Sequence, residues 1–226
     1  MTSSRIILAD IESTGVGASD MICEIAWHEI GESFDTVRSD CSLINPGMPI
    51  SSGASGVNGI TNDMVADAPG IGEYMAKSGF PLMGEDVVMI AHNASFDRRF
   101  LSPYMSEGAD TICTLRCARI LYPDADNHKQ GTLAYYLGLQ MDRSKAHSAD
   151  GDLDVLLQLL MRICRDAGVG ILNLIEFQKQ PINVRTIGFG KHRGTALKDL
   201  DSGYVRWLLN KCENLDPDLR TSLEKL

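Results

Sequence analysis

The 226-residue sequence contains no apolar run long enough to cross a lipid bilayer, which argues against a membrane-spanning helix. The hydrophobic stretch of a secretory signal is also missing, because the apolar residues 6–9 end at Asp10. We therefore expect a cytoplasmic protein with no membrane partner. Wholesale disorder is excluded, since a hydrophobic fraction of 44% and a charged fraction of 23% are ordinary for a globular protein.

Basic residues are scarce: 21 Lys and Arg face 30 Asp and Glu, which gives a net charge of −9. Such a charge normally argues against a polyanionic partner. The deficit lies in residues 1–184, which hold 13 basic and 24 acidic residues, whereas residues 185–211 hold six basic and two acidic residues. The short basic stretch is either ordinary solvated surface or a place for phosphate contacts.

The cysteines show no pattern of a metal site or of a disulfide framework. A second Cys or His pair at zinc spacing is missing near Cys113 and Cys117, and a chain of this length buries a core without covalent staples. We expect all six cysteines to be reduced, at positions 23, 41, 113, 117, 164 and 212.

Apolar strands and helices alternate along the chain, which is typical of an α/β fold with a central, mixed sheet flanked by helices. Strands are predicted at residues 5–10, 22–30, 33–44, 86–91 and 111–113. Helices are predicted at residues 61–65, 96–104, 115–121, 132–137 and 152–165. The Pro-, Gly- and Ser-rich residues 46–60 are predicted to form a loop.

Acidic side chains occur where regular elements end or begin. Asp10 and Glu12 close the first strand, Asp97 follows the apolar strand at 86–91, and Asp152 opens the strongest helix, five residues after His147. Each acid alone is explained equally well by strand exit or helix capping. Together they could converge on one sheet edge, where all-oxygen ligands favour Mg²⁺ or Mn²⁺. Two such ions and a histidine base would suit phosphodiester hydrolysis.

Three segments resemble the motifs of the DEDDh (DnaQ-like) 3′→5′ exonucleases, in the family's order and spacing. They are DIESTG at residues 10–15, AHNASFDRRFL at 91–101 and HSADGD at 147–152. The resemblance covers about residues 5–168 and implies a ribonuclease H-like fold. It predicts an exonuclease domain over residues 1–168, a connector over 169–181 and a small basic appendage over 182–226.

The resemblance also implies a role for each matching residue. Asp10, Glu12, Asp97 and Asp152 would hold two Mg²⁺ ions, with Mn²⁺ as a substitute. His147 would be the general base for a water that releases a 5′-mononucleotide from the 3′ end. Members of this family are often homodimers, so self-association is implied as well. The residues expected to contact the terminal nucleotide are Ser13, Thr14, Gly15, Asn93 and Phe96.

Two departures from the family pattern concern the neighbourhood of these motifs. Ser13 stands where many members have threonine, and the hydroxyl is kept. Asn58 stands where many members have histidine, which affects an auxiliary contact and leaves the catalytic acids intact. Asp150 is an extra acid in the third motif, and we expect it to cap the helix or face solvent rather than bind metal.

The C-terminal residues 187–194 and 204–209 resemble the end segment of a bacterial exodeoxyribonuclease subgroup of the family. Lys191 and Arg193 are therefore expected to contact DNA phosphates, whereas Trp207 is expected to lie in a small core of the appendage. The leading prediction is a metal-dependent 3′→5′ exodeoxyribonuclease. The alternatives are an exoribonuclease of the same superfamily, a polymerase-associated proofreading subunit and a non-catalytic nucleic-acid-binding module.

Overall fold

The computed structural model describes residues 4–81, 86–141, 149–212 and 215–226. The chain divides into two compact units, residues 1–178 and 179–226. The first unit contains a five-stranded sheet that is closed on both faces by helices. The strands are β1 (Arg5–Ser13), β2 (Ile22–Ile30), β3 (Thr36–Leu43), β4 (Val87–Ala91) and β5 (Asp110–Cys113).

The sheet is mixed, as the sequence predicts, with the strand order β3-β2-β1-β4-β5. β1 pairs antiparallel with β2, and β2 pairs antiparallel with β3. β4 runs parallel to both β1 and β5. The carboxyl ends of β1 and β4 therefore meet at the same edge of the sheet, which is where open α/β sheets usually bind ligands.

Alternation along β1 decides which side chains reach which face of the sheet. Ile6 and Leu8 lie in one core cluster, and Ile7 and Ala9 lie in the other. Because the side-chain period of a strand is two residues, Asp10 and the acid that follows it at position 12 continue the row of Ile6 and Leu8.

The helices of the first unit cover both faces of the sheet. The longest that the structure describes, α7 (Ala149–Ala167), packs on β1 and β2. Its buried residues include Leu153, Leu156, Leu160 and Ile163, an i, i+3, i+7, i+10 pattern that forms one apolar stripe. The other α-helices described in this unit are α1 (Ser52–Asn58), α2 (Asn62–Val65), α3 (Ile71–Lys77), α4 (Ala94–Leu101), α5 (Thr114–Leu121), α6 (Gln130–Leu137) and α8 (Leu174–Phe177).

Residues 46–60 contain a helix where the sequence predicts only a loop. α1 begins after Ser51, whose hydroxyl oxygen accepts a hydrogen bond from the Ala54 N–H at 3.1 Å. It ends at Gly59, whose positive φ of 73° suits a residue without a side chain. Glycine and serine lower intrinsic helix propensity, but the cap at each end and packing against the unit override it.

The predicted connector at residues 169–181 also differs from the structure. Residues 171–173 form a turn of 3₁₀ helix that leads into α8, and the buried side chains of Ile171 and Leu174 join the same core as α7. This segment is part of the first unit, which ends at Gln178. Apolar residues in a short, irregular stretch carry no period from which burial could be predicted.

The second unit has a small core of its own. Its helices are α9 (Ser202–Lys211) and α10 (Pro217–Leu223), and residues 185–197 double back so that Ile187 exchanges backbone hydrogen bonds with Gly194 and Thr195. Trp207 is 52% exposed and is not part of that core, so its predicted burial is wrong. The core is built instead from Ile187, Leu197, Leu208, Leu215, Leu219 and Leu223.

Two expectations from composition concern the whole chain. All six cysteines are free thiols, as predicted. Among the described residues, no helix combines the length and the apolar character that a bilayer crossing requires.

Candidate active site

Three carboxylates meet where β1 ends. Asp10 and Glu12 reach this point because they project from the same face of β1, and Asp152 reaches it because α7 begins beside that face. One oxygen from each side chain lies within 4.8 Å of the others, and all three residues are half-buried. The structure thus brings together residues that are about 140 positions apart in the chain, as the sequence predicts.

Asp97 lies in the first turn of α4, and its charge acts on Asp10. Asp97 is only 3% exposed. Its carboxylate accepts hydrogen bonds from its own backbone N–H and from the backbone N–H of Ile11. Burial raises the pKa of Asp97 to about 7, while these two hydrogen bonds lower it. Ile11 separates Asp10 from Glu12, so the fourth acid is tied directly to the strand that carries the first two.

The acids destabilise one another's charged forms. The pKa of Asp10 is raised well above its usual range, first by burial and then by the charges of Asp97 and Asp152. Burial is also the largest cause that raises the pKa of Glu12 to about 7, and a hydrogen bond from Asn58 opposes it. Carboxylates in such a cluster become ionised together only when positive charge is brought in.

The chemistry of the donor set fits a hard divalent cation. The cluster of Asp10, Glu12 and Asp152 offers only carboxylate oxygens, which Mg²⁺ and Mn²⁺ prefer over the nitrogen and sulfur ligands that select zinc. The half-buried position limits competition from bulk water. The arrangement can therefore concentrate divalent cations at the edge of the sheet, next to a cavity that is open to a substrate.

Glu24 is a further carboxylate beside Glu12 that sequence reasoning missed. It lies on β2 directly opposite Glu12, and its Oε2 accepts a hydrogen bond from the backbone N–H of Ala149 at 2.9 Å. Burial raises the pKa of Glu24, and the Ala149 N–H opposes the rise. The signal in the sequence is a charged residue on the inward face of an otherwise buried strand.

Asn58 has a structural role at the motif in which it replaces histidine. It is 8% exposed at the end of α1, and its Nδ2 donates to the Ser13 carbonyl at 3.3 Å. The same side chain donates to Glu12, which lowers the pKa of that carboxyl. The amide therefore supports the end of β1 and one of its acids simultaneously.

A cavity of about 680 Å³ opens beside the three acids. Four of the predicted nucleotide-contacting residues line it, and the fifth, Asn93, does not. Asn93 is exposed and precedes α4 in a left-handed conformation with φ of 71°. The predicted residues in the lining are Ser13, Thr14, Gly15 and Phe96.

The loop after β1 is fixed by polar contacts. The Thr14 hydroxyl donates to the Asp20 carboxylate at 2.8 Å and accepts from the Met21 N–H at 3.1 Å. A Cβ atom on Gly15 would lie 2.6 Å from that carboxylate, so any other residue here would displace the Asp20 side chain. Arg99 of α4 donates to the Val16 carbonyl at 2.8 Å and thereby joins the first two motifs.

The remaining predicted site residues are His147, Lys191 and Arg193. His147 is outside the described residues, although α7 begins only two positions later. Lys191 and Arg193 belong to the second unit and are exposed. Asp150 is partly exposed, with its carboxylate 3.6 Å from the His28 ring, and is not in the acidic triad.

Comparison with known proteins agrees with the motifs. The RNase_T family model, described as an exonuclease, matches residues 7–160. Exodeoxyribonuclease 10 of Escherichia coli K12 is 31% identical, over 96% of this chain and 97% of its own length. The PolC-type DNA polymerase III of Bacillus cereus is 32% identical over 74% of this chain, which corresponds to 12% of that polymerase.

Solved structures support the same relationship. A structure of exonuclease X in complex with 5′-overhanging duplex DNA superposes with a TM-score of 0.63 and 28% identity, covering 76% of this chain and 99% of that one. An E. coli exonuclease I–single-stranded DNA complex, at 15% identity and a TM-score of 0.64 over 77% of this chain and 42% of that one, shares the fold. The ribonuclease H-like fold and the predicted family are confirmed: the chain belongs to the RNase_T exonuclease family.

Proposed function

We propose that this exonuclease is a metal-dependent 3′→5′ exodeoxyribonuclease that releases 5′-mononucleotides. The observation that carries the proposal is the meeting of Asp10, Glu12 and Asp152 within 4.8 Å of one another beside a cavity of about 680 Å³. A cavity of this size is in the range of small-ligand sites, and one mononucleotide is a ligand of that class.

Asp10, Glu12, Asp97 and Asp152 would hold two Mg²⁺ ions, with Mn²⁺ as a substitute. Bound there, the ions would stabilise the charge on the attacking and leaving oxygens of the phosphodiester. Asp97 would complete the set, and the Ile11 N–H fixes its carboxylate. Glu12 is held by Asn58 in the same way. The chain therefore supplies a preorganised set of oxygens, which is the requirement for electrostatic catalysis.

The remaining groups orient the substrate and move the proton. Ser13, Thr14, Gly15 and Phe96 would enclose the 3′-terminal nucleotide in the cavity that they line. Asn93, which precedes α4 and does not line the cavity, would contact the same nucleotide from the start of that helix. His147 would accept the proton of the attacking water on a ring nitrogen, because imidazole has an ordinary pKa close to neutrality.

DNA is the substrate that the relatives favour. The E. coli relative that aligns with nearly the whole chain is an exodeoxyribonuclease, and exonuclease X was solved in complex with DNA. Exposed Lys191 and Arg193 would contact the phosphates of the strand, a function suited to the second unit and its nine basic against six acidic residues.

The test is an assay with three 5′-end-labelled substrates: single-stranded DNA, duplex DNA and RNA of matched sequence. With Mg²⁺ we expect a ladder that shortens one nucleotide at a time, with free 5′-mononucleotides as products, and we expect DNA to be degraded faster than RNA. Without Mg²⁺ there should be no products. Internal cuts would contradict the proposed exonuclease action, because an exonuclease removes nucleotides only from an end. Faster degradation of RNA would favour the exoribonuclease alternative.

Two variants separate metal binding from proton transfer. Asp152→Ala should abolish turnover and leave the circular dichroism spectrum unchanged, because Asp152 acts through its carboxylate near the start of α7. His147→Ala should lower kcat by about 10²–10⁴-fold and change the pH–rate profile. An unaltered profile would mean that another group is the base. Absence of metal-dependent product from every substrate would favour the non-catalytic module.

A second candidate function is proofreading alongside a DNA polymerase. The similarity to a 12% segment of a PolC-type polymerase favours it, since that segment matches 74% of this chain. A proofreading enzyme should remove a mismatched 3′ nucleotide faster than a matched one and should restore primer extension by a polymerase that stalls at the mismatch. Equal rates of removal of matched and mismatched 3′ nucleotides would argue against this candidate.

The homodimer that the family resemblance implies is a separate prediction. Light scattering during size-exclusion chromatography tests it.

A further inference from the structure

Three aromatic rings lie side by side on the second unit. The ring centroids of His192 and Tyr204 are 4.2 Å apart, and those of Tyr204 and Trp207 are 5.8 Å apart with the planes inclined by only 14°. Tyr204 and Trp207 are three residues apart on α9, so they share one side of that helix. We call His192, Tyr204 and Trp207 the aromatic row.

The aromatic row is not a part of the core of its unit. Trp207 is 52% exposed, whereas the next residue, Leu208, is fully buried and supplies the core contact of α9. Tyr204 packs at the margin of that core. An indole ring that is half open to solvent, and is aligned with a second ring, offers a flat apolar surface for another planar group.

Positive side chains accompany the aromatic row. Lys191 and Arg193 flank His192 in the chain and are exposed, and Arg206 precedes Trp207 and is exposed as well. Within the described part of the second unit, neither Lys191 nor Arg193 forms an ion pair, so their charges remain available. Flat rings next to unpaired cations are the combination with which proteins bind unpaired nucleic-acid strands.

We propose that the aromatic row is a base-stacking platform for an unpaired segment of a DNA strand, with Lys191, Arg193 and Arg206 contacting its phosphates. The choice of DNA rests on the proposed function, and the stacking chemistry does not. Bases in a duplex are already stacked on each other and cannot reach a ring on the protein surface, so an unpaired strand is the occupant. Charge complementarity favours it, because the unit has an excess of three positive charges.

The test uses the full chain in a chelator, which prevents cleavage, and one built-in probe. The protein has two tryptophans, and Trp27 is only 2% exposed, so fluorescence quenching by DNA reports mainly on Trp207. The ligands are oligo(dT) and an abasic oligodeoxynucleotide of the same length, which has the same phosphates without bases. We expect oligo(dT) to quench the emission and the abasic strand to bind with little quenching.

Substitutions measure what the indole contributes. Trp207→Ala should weaken binding of oligo(dT) by at least about fivefold and leave binding of the abasic strand unchanged, because stacking on one aromatic ring is worth at least that factor. Trp207→Phe, which keeps a ring, should stay within about twofold of the parent. Tyr135→Ala, which removes another exposed aromatic ring from the first unit, should have no effect.

Either of two results overturns the platform: oligo(dT) that binds without quenching the parent protein, or equal loss of both ligands in Trp207→Ala. The quenching of the unaltered chain decides the matter if the alanine variant fails to fold. Failure of the proposed function looks different, because a protein without nuclease activity can still show base-dependent quenching in chelator. Metal-dependent release of mononucleotides without that quenching overturns the platform alone.

Discussion

At the scale of single residues, the proposed active site is a collection of like charges that the fold forces together. Asp10 is the residue most affected, because burial and the charges of Asp97 and Asp152 all oppose its ionised form. In the absence of metal, this repulsion opposes folding. The first prediction is therefore that Asp10→Asn raises the melting temperature in a chelator while it eliminates nuclease activity.

Differential scanning fluorimetry with and without Mn²⁺ checks this prediction. The unaltered chain should gain about 5–10 °C at a metal concentration of about 100 times Kd, whereas Asp10→Asn should gain almost nothing. Glu107→Gln, at an exposed acid that is not among the clustered carboxylates, serves as the control and should behave like the unaltered chain. A lower melting temperature for Asp10→Asn in chelator would contradict the proposed repulsion.

Glu29 is a second carboxylate whose pKa is shifted, in this case by ion pairs with two arginines. Glu29 on β2 accepts hydrogen bonds from Arg5 at 2.7 Å and Arg38 at 2.6 Å, and these partners lower its pKa to about 2. A folded-state pKa below the ordinary value of 4.5 means stability that is complete above pH 4.5 and lost as the pH falls towards 2. Glu29→Gln should therefore lose stability at pH 7 and show a weaker acid dependence.

Urea unfolding at pH 7, 4.5 and 3 measures that dependence. The difference in unfolding free energy between the unaltered chain and Glu29→Gln should shrink steadily as the pH falls through this window. A constant difference would show that the amide perturbs packing rather than the charge. Glu73→Gln, at a solvent-exposed partner of Lys77, is the matched control and should change stability little at any of these pH values.

Single residues also show how far sequence reasoning reaches. The two-residue period of a strand was enough to predict that Asp10 and Glu12 share a face. Glu24 was missed because its position opposite Glu12 depends on the register of β1 and β2, which no local pattern fixes. The contact of Asn58 with Glu12 depends on the tertiary position of α1, a helix that the sequence did not reveal.

At the scale of elements, α7 carries Asp152 and begins two residues after His147, so its first turn must be placed accurately. Besides the apolar packing of α7 on the sheet, the helix start is held by the hydrogen bond from the Ala149 N–H to Glu24, which joins it to β2. We predict that Glu24→Ala destabilises the protein by about 1.5–3 kcal/mol, the usual range for a hydrogen bond to a charged group. It should also lower kcat by at least about tenfold.

Glu24→Gln is the informative partner of that variant. Its amide oxygen can still accept the Ala149 N–H, so it keeps the anchor of α7 and removes only the charge. We expect Glu24→Gln to retain most of the activity and stability that Glu24→Ala loses, in the same unfolding and turnover measurements. Equal damage in both variants would mean that the charge of Glu24, rather than its hydrogen bond, is what the site needs.

The elements that the sequence predicted well are those with a strong period. The strands β1, β2 and β4 and the long helix α7 have apolar residues at regular spacing, and their predicted bounds lie within a few residues of the observed ones. α1, α3 and α8 were missed because they are short: α1 has a cap at each end, and α3 and α8 are held by side chains buried in the cores of the unit. Neither cause leaves a periodic signal.

At the scale of the whole molecule, charge is divided between the two units. Residues 1–178 contain 12 basic and 24 acidic residues, whereas residues 179–226 contain nine basic and six acidic residues. An acidic unit that contains the proposed cleavage site attracts a polyanion poorly, so most of the salt-dependent attraction for DNA should come from the second unit. Affinity and chemistry should thus be separable by substitution.

The last prediction tests this separation with two variants of equal charge. Lys191→Gln with Arg193→Gln should reduce the slope of log Kd against log salt for single-stranded DNA by about 1.4, since each lost phosphate contact contributes about 0.7. KM should rise more than kcat falls, because these residues are far in sequence from the acids. Lys77→Gln with Arg165→Gln removes the same charge from the acidic unit and should leave the slope nearly unchanged. If the two double variants reduce the salt slope equally, the net charge of the chain rather than the second unit governs binding.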